Sequence, residues 1–306
     1  MRNSPTGNSR AFARLLLALG LGLAGCHPGN QDARDLRNAC ESGDVAACND
    51  YGQKLLKGEY VLRDDSAAGL KLLQACEGGV AEGCARLGVL YQDGRGVKRD
   101  SARSLTLFRQ ACDGGAMDGC ARLGLLYRDG LGVSKDMVQA TRLFEQSCSG
   151  GNLIGCAELG TLYVDGTGVT QDLPKAAELF QRSCDGKVAA GCVGLGRLHA
   201  AGSVVAQNDS IAADLFDRAC DNREPSGCYY LAEQATMGKG VELNYERAGE
   251  LYRRACNGRH ALACYKLADL YEKGAGVNRD PERASALTRR ACEFGYTEAC
   301  TPARSS

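Results

Sequence analysis

The 306-residue chain contains no tryptophan, six phenylalanines, six prolines and three histidines, and aromatic residues make up only 6% of it. So few large side chains exclude one bulky globular core and favour many small helices in close contact. Charge of one sign is missing too, because 37 Lys and Arg balance 37 Asp and Glu. A chain without a net field exerts no long-range pull on nucleic acid, and no basic run or aromatic stacking platform is present. Binding to nucleic acid is not expected.

Chemistry-bearing motifs are equally scarce. No serine is followed by a lysine three residues later, and S-D-N, K-T-G and G-x-S-x-G do not occur. H-E-x-x-H and the phosphate-cradling loop are absent as well. The histidines, at 27, 199 and 260, share no motif with a nucleophile. Structural zinc sites usually space their cysteines two to four residues apart, and no C-x-x-C is found here. The chain is read as having no catalytic residue, no metal and no cofactor.

What the sequence holds in quantity is glycine, 40 residues, and cysteine, 17. The start of the chain reads as a targeting segment rather than as part of a fold. Arg2, Arg10 and Arg14 supply positive charge, and Leu15 to Ala24 is an apolar run of ten residues, too short to span a bilayer as a stable helix. It closes on Leu23-Ala24-Gly25-Cys26. This site resembles the bacterial lipobox, which implies a signal peptide over 1–25 and lipid attachment at Cys26. His27 follows the cysteine where an inner-membrane retention signal would place Asp, so an outer-membrane, periplasmic or surface location is expected.

Cys26 is also the odd cysteine. The other sixteen form eight C-x7-C pairs whose first members, Cys40, Cys76, Cys112, Cys148, Cys184, Cys220, Cys256 and Cys292, are 36 residues apart. The second members, Cys48, Cys84, Cys120, Cys156, Cys192, Cys228, Cys264 and Cys300, keep the same step. A fixed period of this length means a solenoid, in which each unit buries its apolar face against its neighbours. Within one unit Cys120, Leu123, Gly124 and Tyr127 are spaced i, i+3, i+4, i+7, one face of a helix. A glycine then recurs at Gly58, Gly94, Gly130, Gly166, Gly202, Gly238 and Gly274, as a left-handed helix C-cap requires. A valine follows three residues on, at 61, 97, 133, 169, 205, 241 and 277, a plug beneath the turn. Asp64, Asp100, Asp136, Asp172, Asn208, Asn244 and Asp280 suit the N-cap of a second helix, whose apolar stripe is Ala140, Leu143 and Phe144. Gly88, Gly124, Gly160, Gly196, Ala232 and Ala268 weaken the first helices and are read as points where a facing helix needs room.

A 36-residue helix-turn-helix carrying L-G-x-L-Y-x-x-G-x-G-V and A-x-x-L-F resembles the Sel-1-like repeat, a relative of the tetratricopeptide repeat. One C-x7-C per unit is similar to its bacterial cysteine-rich branch. The resemblance implies an all-α, right-handed superhelical solenoid of antiparallel helix pairs with one disulfide per repeat. The expected organisation is a signal peptide at 1–25, a lipidated linker or capping helix at 26–38 and a solenoid over 39–306. Seven repeats would start at 39, 75, 111, 147, 183, 219 and 255, with a terminal cap at 291–306. Residues 183–254 depart most, since Val204 replaces a turn glycine, His199 replaces the tyrosine and Gln234-Ala235 replaces Leu-Tyr.

An exported chain sits in an oxidising compartment, so the cysteines are read as bridges. Spacing alone permits either the short pairing within each C-x7-C or the longer one, such as Cys48 with Cys76. Loop closure favours the short route modestly, and the family resemblance implies it. Each such loop would stabilise by about 2–3 kcal/mol in the chain-entropy picture.

Stacked helix pairs curl into a superhelix whose first helices line the concave side. The two positions after the second cysteine, and the one three further on, are assigned to that groove. They carry Arg86 and Val89, Arg122 and Leu125, Glu158 and Thr161, Arg197, Tyr229, Tyr230 and Glu233, and Tyr265, Lys266 and Asp269. Tyr229, Tyr230 and Tyr265 are expected to cluster, because tyrosines suit interfaces. The resemblance implies a protein or extended peptide partner in the envelope, with a weak β-lactamase or penicillin-binding activity as the alternative. The lipobox reading predicts that mass spectrometry of the mature N-terminus finds an acylated Cys26. Cys26→Ser should move the protein to the soluble fraction; an unmodified Cys26, or cleavage elsewhere, would remove the anchor.

Overall fold

The computed structural model describes residues 28–204 and 207–300. The expected signal peptide, Cys26, Val205 and residues 301–306 of the terminal cap lie outside the described residues. Among the described residues the architecture is all-helical. A first helix, α1 (Pro28–Glu41), is followed by seven pairs. They are α2 (Val45–Lys57) with α3 (Asp65–Glu77), α4 (Ala81–Asp93) with α5 (Ser101–Asp113), and α6 (Met117–Asp129) with α7 (Met137–Ser149). Next come α8 (Leu153–Asp165) with α9 (Leu173–Asp185), and α10 (Ala189–Ala201) with α11 (Asp209–Asp221). The series ends with α12 (Pro225–Met237) and α13 (Tyr245–Asn257), α14 (Ala261–Lys273) and α15 (Pro281–Glu293), and a short 3-10 turn over Thr297–Cys300.

The recurring residues take the places their chemistry predicts. Gly58, Gly94, Gly130, Gly166, Gly202, Gly238 and Gly274 end the even helices with φ between 63° and 71°, a region that costs other residues a Cβ clash. The Asp and Asn side chains from Asp64 to Asp280 accept backbone N–H bonds at the starts of α3, α5, α7, α9, α11, α13 and α15. Each such cap contributes about 1 kcal/mol.

The core is a column of rings set against glycines. Phe108, Phe144, Phe180, Phe216 and Tyr252 sit at 36-residue intervals and are nearly fully buried. A Cβ on Gly124 would lie 2.6 Å from Cε1 of Phe144, and one on Gly88 would lie 2.6 Å from Cε1 of Phe108. These glycines are therefore contact points, as expected. A mid-helix glycine costs about 1 kcal/mol of helix propensity, while burying a phenylalanine contributes about 1.5–3 kcal/mol. Packing wins.

All eight bridges follow the short pairing, from Cys40–Cys48 to Cys292–Cys300, with Cα atoms 4.5 Å apart in the first and 4.9 Å in the last. The first seven join the end of an odd helix to the start of the next even one, and the eighth joins α15 to the final 3-10 turn. The first ties α1 to α2, so α1 stands in for the second helix of a preceding unit. Most of these cysteines are buried, Cys40 and Cys48 completely, whereas Cys300 is exposed at the end of the solenoid. Thiol exchange needs access for the attacking thiolate. Mild reduction followed by alkylation should therefore label Cys292 and Cys300 before any other cysteine. Recovery of Cys48–Cys76 on peptide mapping, or first labelling at an inner pair, would contradict this arrangement.

Candidate functional site

Even helices line the inner curve. Consecutive even helices from α4 to α12 touch one another, while neighbouring odd helices have no comparable contact. The odd helices form the outer layer. The groove is thus floored by the inward faces of α4 to α14, where the expected positions fall in two environments.

The second position after the cysteine, and the one three further on, are half-buried or exposed. Arg86, Arg122, Glu158, Tyr230 and Lys266 are half-buried, and Arg197 and Thr161 are exposed. Arg86 donates to Oδ1 of Asn49 at 2.6 Å, and Arg122 pairs with Asp118 at 2.8 Å. Glu158 pairs with Arg128 from the preceding even helix. Burial nevertheless outweighs that pairing and holds the Glu158 carboxyl above the usual carboxylate range. Lys266 reaches Glu233 at 3.3 Å, and Asp269 holds Lys273 at 2.7 Å.

The first position after the cysteine is buried rather than open, although Val193 still contributes to the floor of the groove over α10. Ala85, Ala121, Ala157, Val193 and Tyr229 are all at most 9% exposed, because this flank meets the next even helix. Tyr229 is a core residue: its ring stacks on His260, at the head of α14, with centroids 4.5 Å apart. Burial, reinforced by Glu233, pushes its hydroxyl far above the usual phenol range. Tyr265 takes the same place one unit later and packs at a tilt against Tyr296, with centroids 5.0 Å apart. It is 39% exposed, and the described element that follows α15 is a 3-10 turn. Of the expected tyrosine cluster, Tyr229 and Tyr230 meet edge to face with centroids 5.1 Å apart, while Tyr265 packs with Tyr296 instead. Tyr230 alone belongs to the groove, stacked on Phe216 at 5.2 Å with the Arg197 guanidinium 5.7 Å from its centroid.

A cleft of about 730 Å³ opens in the groove over α10, inside the segment whose sequence departs most. Its cause is a set of short side chains. Gly194, Ala200 and Ala201 stand where α4 has Arg86, Gln92 and Asp93. The removal of long side chains leaves Phe180 and Phe216 as floor and Arg197, Tyr230 and Gln234 as wall. Sequence reasoning named Arg197, Tyr230 and Glu233 but not Gly194 or the alanines, whose signal is the loss of a side chain from a varied position.

The two described histidines have structural surroundings. His260 is the N-cap of α14, its Nδ1 accepting from the Ala263 N–H at 3.2 Å. His199 replaces the packing tyrosine of other units, and its Nδ1 is buried without a partner. Among the described residues no group of His, Cys, Asp or Glu is arranged to hold a metal ion.

The Sel1 repeat model matches residues 45–79, 81–115, 118–152, 153–187, 189–223, 225–260 and 261–296. The chain belongs to the Sel1 repeat family. In this frame the six bridges from Cys76–Cys84 to Cys256–Cys264 run from the last helix of one matched repeat to the first helix of the next. Its fold is similar to that of a Sel1 repeat protein from Oxalobacter formigenes, at 20% identity and TM-score 0.68, over 80% of this chain and 96% of that one. It is also similar to a protective antigen of uropathogenic Escherichia coli strains that displays an SLR fold, at 25% identity and TM-score 0.62. That match covers 87% of this chain, which spans 57% of the antigen's length. No curated protein matches the sequence. Sel1 repeats are scaffolds that generally serve protein interaction. The eight bridges fit an oxidising, exported location, and among the described residues no helix is long and apolar enough to cross a membrane.

The His260 cap carries a pH dependence. Burial lowers its pKa below the usual imidazole value, with Glu224 acting in the opposite direction. The folded chain thus binds this proton less well than the unfolded chain, which titrates near about 6.5. Stability from the cap is complete above that value and is lost as pH falls through it toward the depressed folded value. Protonation also removes the Nδ1 acceptor. Thermal melts between about pH 7.5 and 5 should show a steeper loss for the wild type than for His260→Asn, which caps without titrating. Parallel curves would assign the acid sensitivity elsewhere.

Proposed function

We propose that the chain is an exported scaffold, anchored to a bacterial membrane through lipidated Cys26, that holds a protein or extended peptide in its concave groove. The observation that carries this reading is the contrast between frame and lining. The caps, bridges and ring-on-glycine contacts repeat from unit to unit. One inward position meanwhile changes from Arg86 and Arg122 to Glu158, Gly194, Tyr230 and Lys266. A surface under packing constraint alone would not need that variety of charge and size. The amphipathic walls at Tyr230 and Arg197 are of the types that dominate interface energetics.

The location fits the same reading. A buried, bridged solenoid resists reduction and unfolding outside the cell, and the lipobox-like site at Leu23 to Cys26 would hold it at a membrane. Its partner would then be another envelope component presented as extended chain. Capture from envelope extract should fall by about 2 kcal/mol for Tyr230→Ala if Tyr230 is a binding hot spot. Val138→Lys, on the exposed side of outer helix α7, should leave capture unchanged. Equal capture by all three proteins, with unchanged helicity, would place the working surface outside the groove.

A further inference from the structure

The cleft over α10 contains a residue that packing does not explain. Gln234 stands where five other repeats place Leu90, Leu126, Leu162, Leu198 and Leu270. It is only 7% exposed, and its Oε1 has no hydrogen-bond partner. A buried, unpaired amide destabilises a fold, and leucine at the same position in neighbouring repeats shows what packs there without that cost. Gln234 lines the cleft, so the rest of its carboxamide is the polar group that an occupant would meet there.

A carboxamide offers one acceptor and two donors, which matches a main-chain peptide group reciprocally. Arg197 stands beside it on α10, exposed, with the Tyr230 ring as its contact. Its guanidinium is thus available to a carboxylate. Phe180, Phe216 and Val193 supply apolar floor. Ala190 and Ala201 both line the cleft, so it runs about 16 Å along α10, the span of about four or five extended residues. Acidic groups limit the occupant's charge. Glu233 is neutralised by Lys266 at 3.3 Å, but Asp165, Asp209 and Glu224 also line the cleft and outnumber Lys239, its cation besides Arg197. A run of acidic residues would be repelled there, whereas one central carboxylate would not.

We propose that this cleft seats a short extended peptide stretch in which one acidic residue is flanked by apolar ones. Gln234 pairs with a main-chain amide, and Arg197 pairs with the carboxylate. The assignment rests on the groove reading and narrows it to one place and one chemistry.

The test uses the full, disulfide-bonded chain and three fluorescein-labelled hexapeptides. They are Ala-Leu-Glu-Phe-Leu-Ala, the same peptide with Gln for Glu, and hexaglutamate. Anisotropy should show the first bound about tenfold more tightly than either other peptide. Gln234→Leu should raise Tm by about 2 °C and weaken the first peptide by about tenfold. Arg197→Gln should erase the preference for Glu over Gln. A Gln234→Leu protein that is more stable yet binds equally well would overturn the role of Gln234. Equal binding of all three peptides by the wild type would overturn the occupant's chemistry. If none of the peptides binds while Tyr230-dependent capture from extract persists, the groove reading stands and this assignment fails.

Discussion

Everything in this structure depends on a cystine that crosses from one repeat into the next. A solenoid has no long-range contacts to close its core, and each unit buries its apolar face only on its neighbours. With aromatic residues at 6% of the chain, each of those interfaces is thin. Cys76–Cys84 and its equivalents tie the last turn of an odd helix to the first turn of the next even one. The junction is the place where a repeat array would otherwise open, and closing the loop reduces the freedom of the unfolded junction. Ring-on-glycine contacts complete the arrangement within the four pairs from α4–α5 to α10–α11. The bridge sets the spacing between units, and Phe144 against Gly124 sets the spacing within one.

A frame held in this way can tolerate local loss. Between α9 and α12 the chain gives up the packing tyrosine at His199 and Ala235, the leucine at Gln234 and a turn glycine at Val204. His199 Nδ1 and Gln234 Oε1 are buried without partners there. A globular domain would spread such defects through one cooperative core. Here Cys184–Cys192 and Cys220–Cys228 bound the region, and the cleft over α10 opens inside it. The stability of the array thus makes room for a polar, partly empty stretch of groove, a common trade between stability and function.

Most of the fold was legible because the period repeats the same physical demands. Gly130 and Asp136 announce a left-handed C-cap and an N-cap, and both are found. The small residues announced close contact, and Phe108 and Phe144 supply it. The groove was legible only in part. Tyr229 and Tyr265 were placed on it because a single helical wheel leaves their position open. That flank is buried by the following even helix, at His260 for Tyr229, and one helix's pattern carries no information about how far consecutive units approach. The cleft was missed for a different reason. It is made by Gly194, Ala200 and Ala201, and missing side chains leave no motif to find. The departures at His199 and Gln234 did mark the right segment.

Stability in this solenoid passes from unit to unit through the bridged junctions. Native-state hydrogen exchange on a Cys184→Ala, Cys192→Ala double variant tests it most directly. The account predicts faster exchange in α9 and α10 and in their neighbours α8 and α11, with α2 to α5 and α14 to α15 protected as in the wild type. Uniformly faster exchange along the whole chain would show one global cooperative unit. Unchanged exchange at α9 and α10 would show that the bridge does not hold the junction.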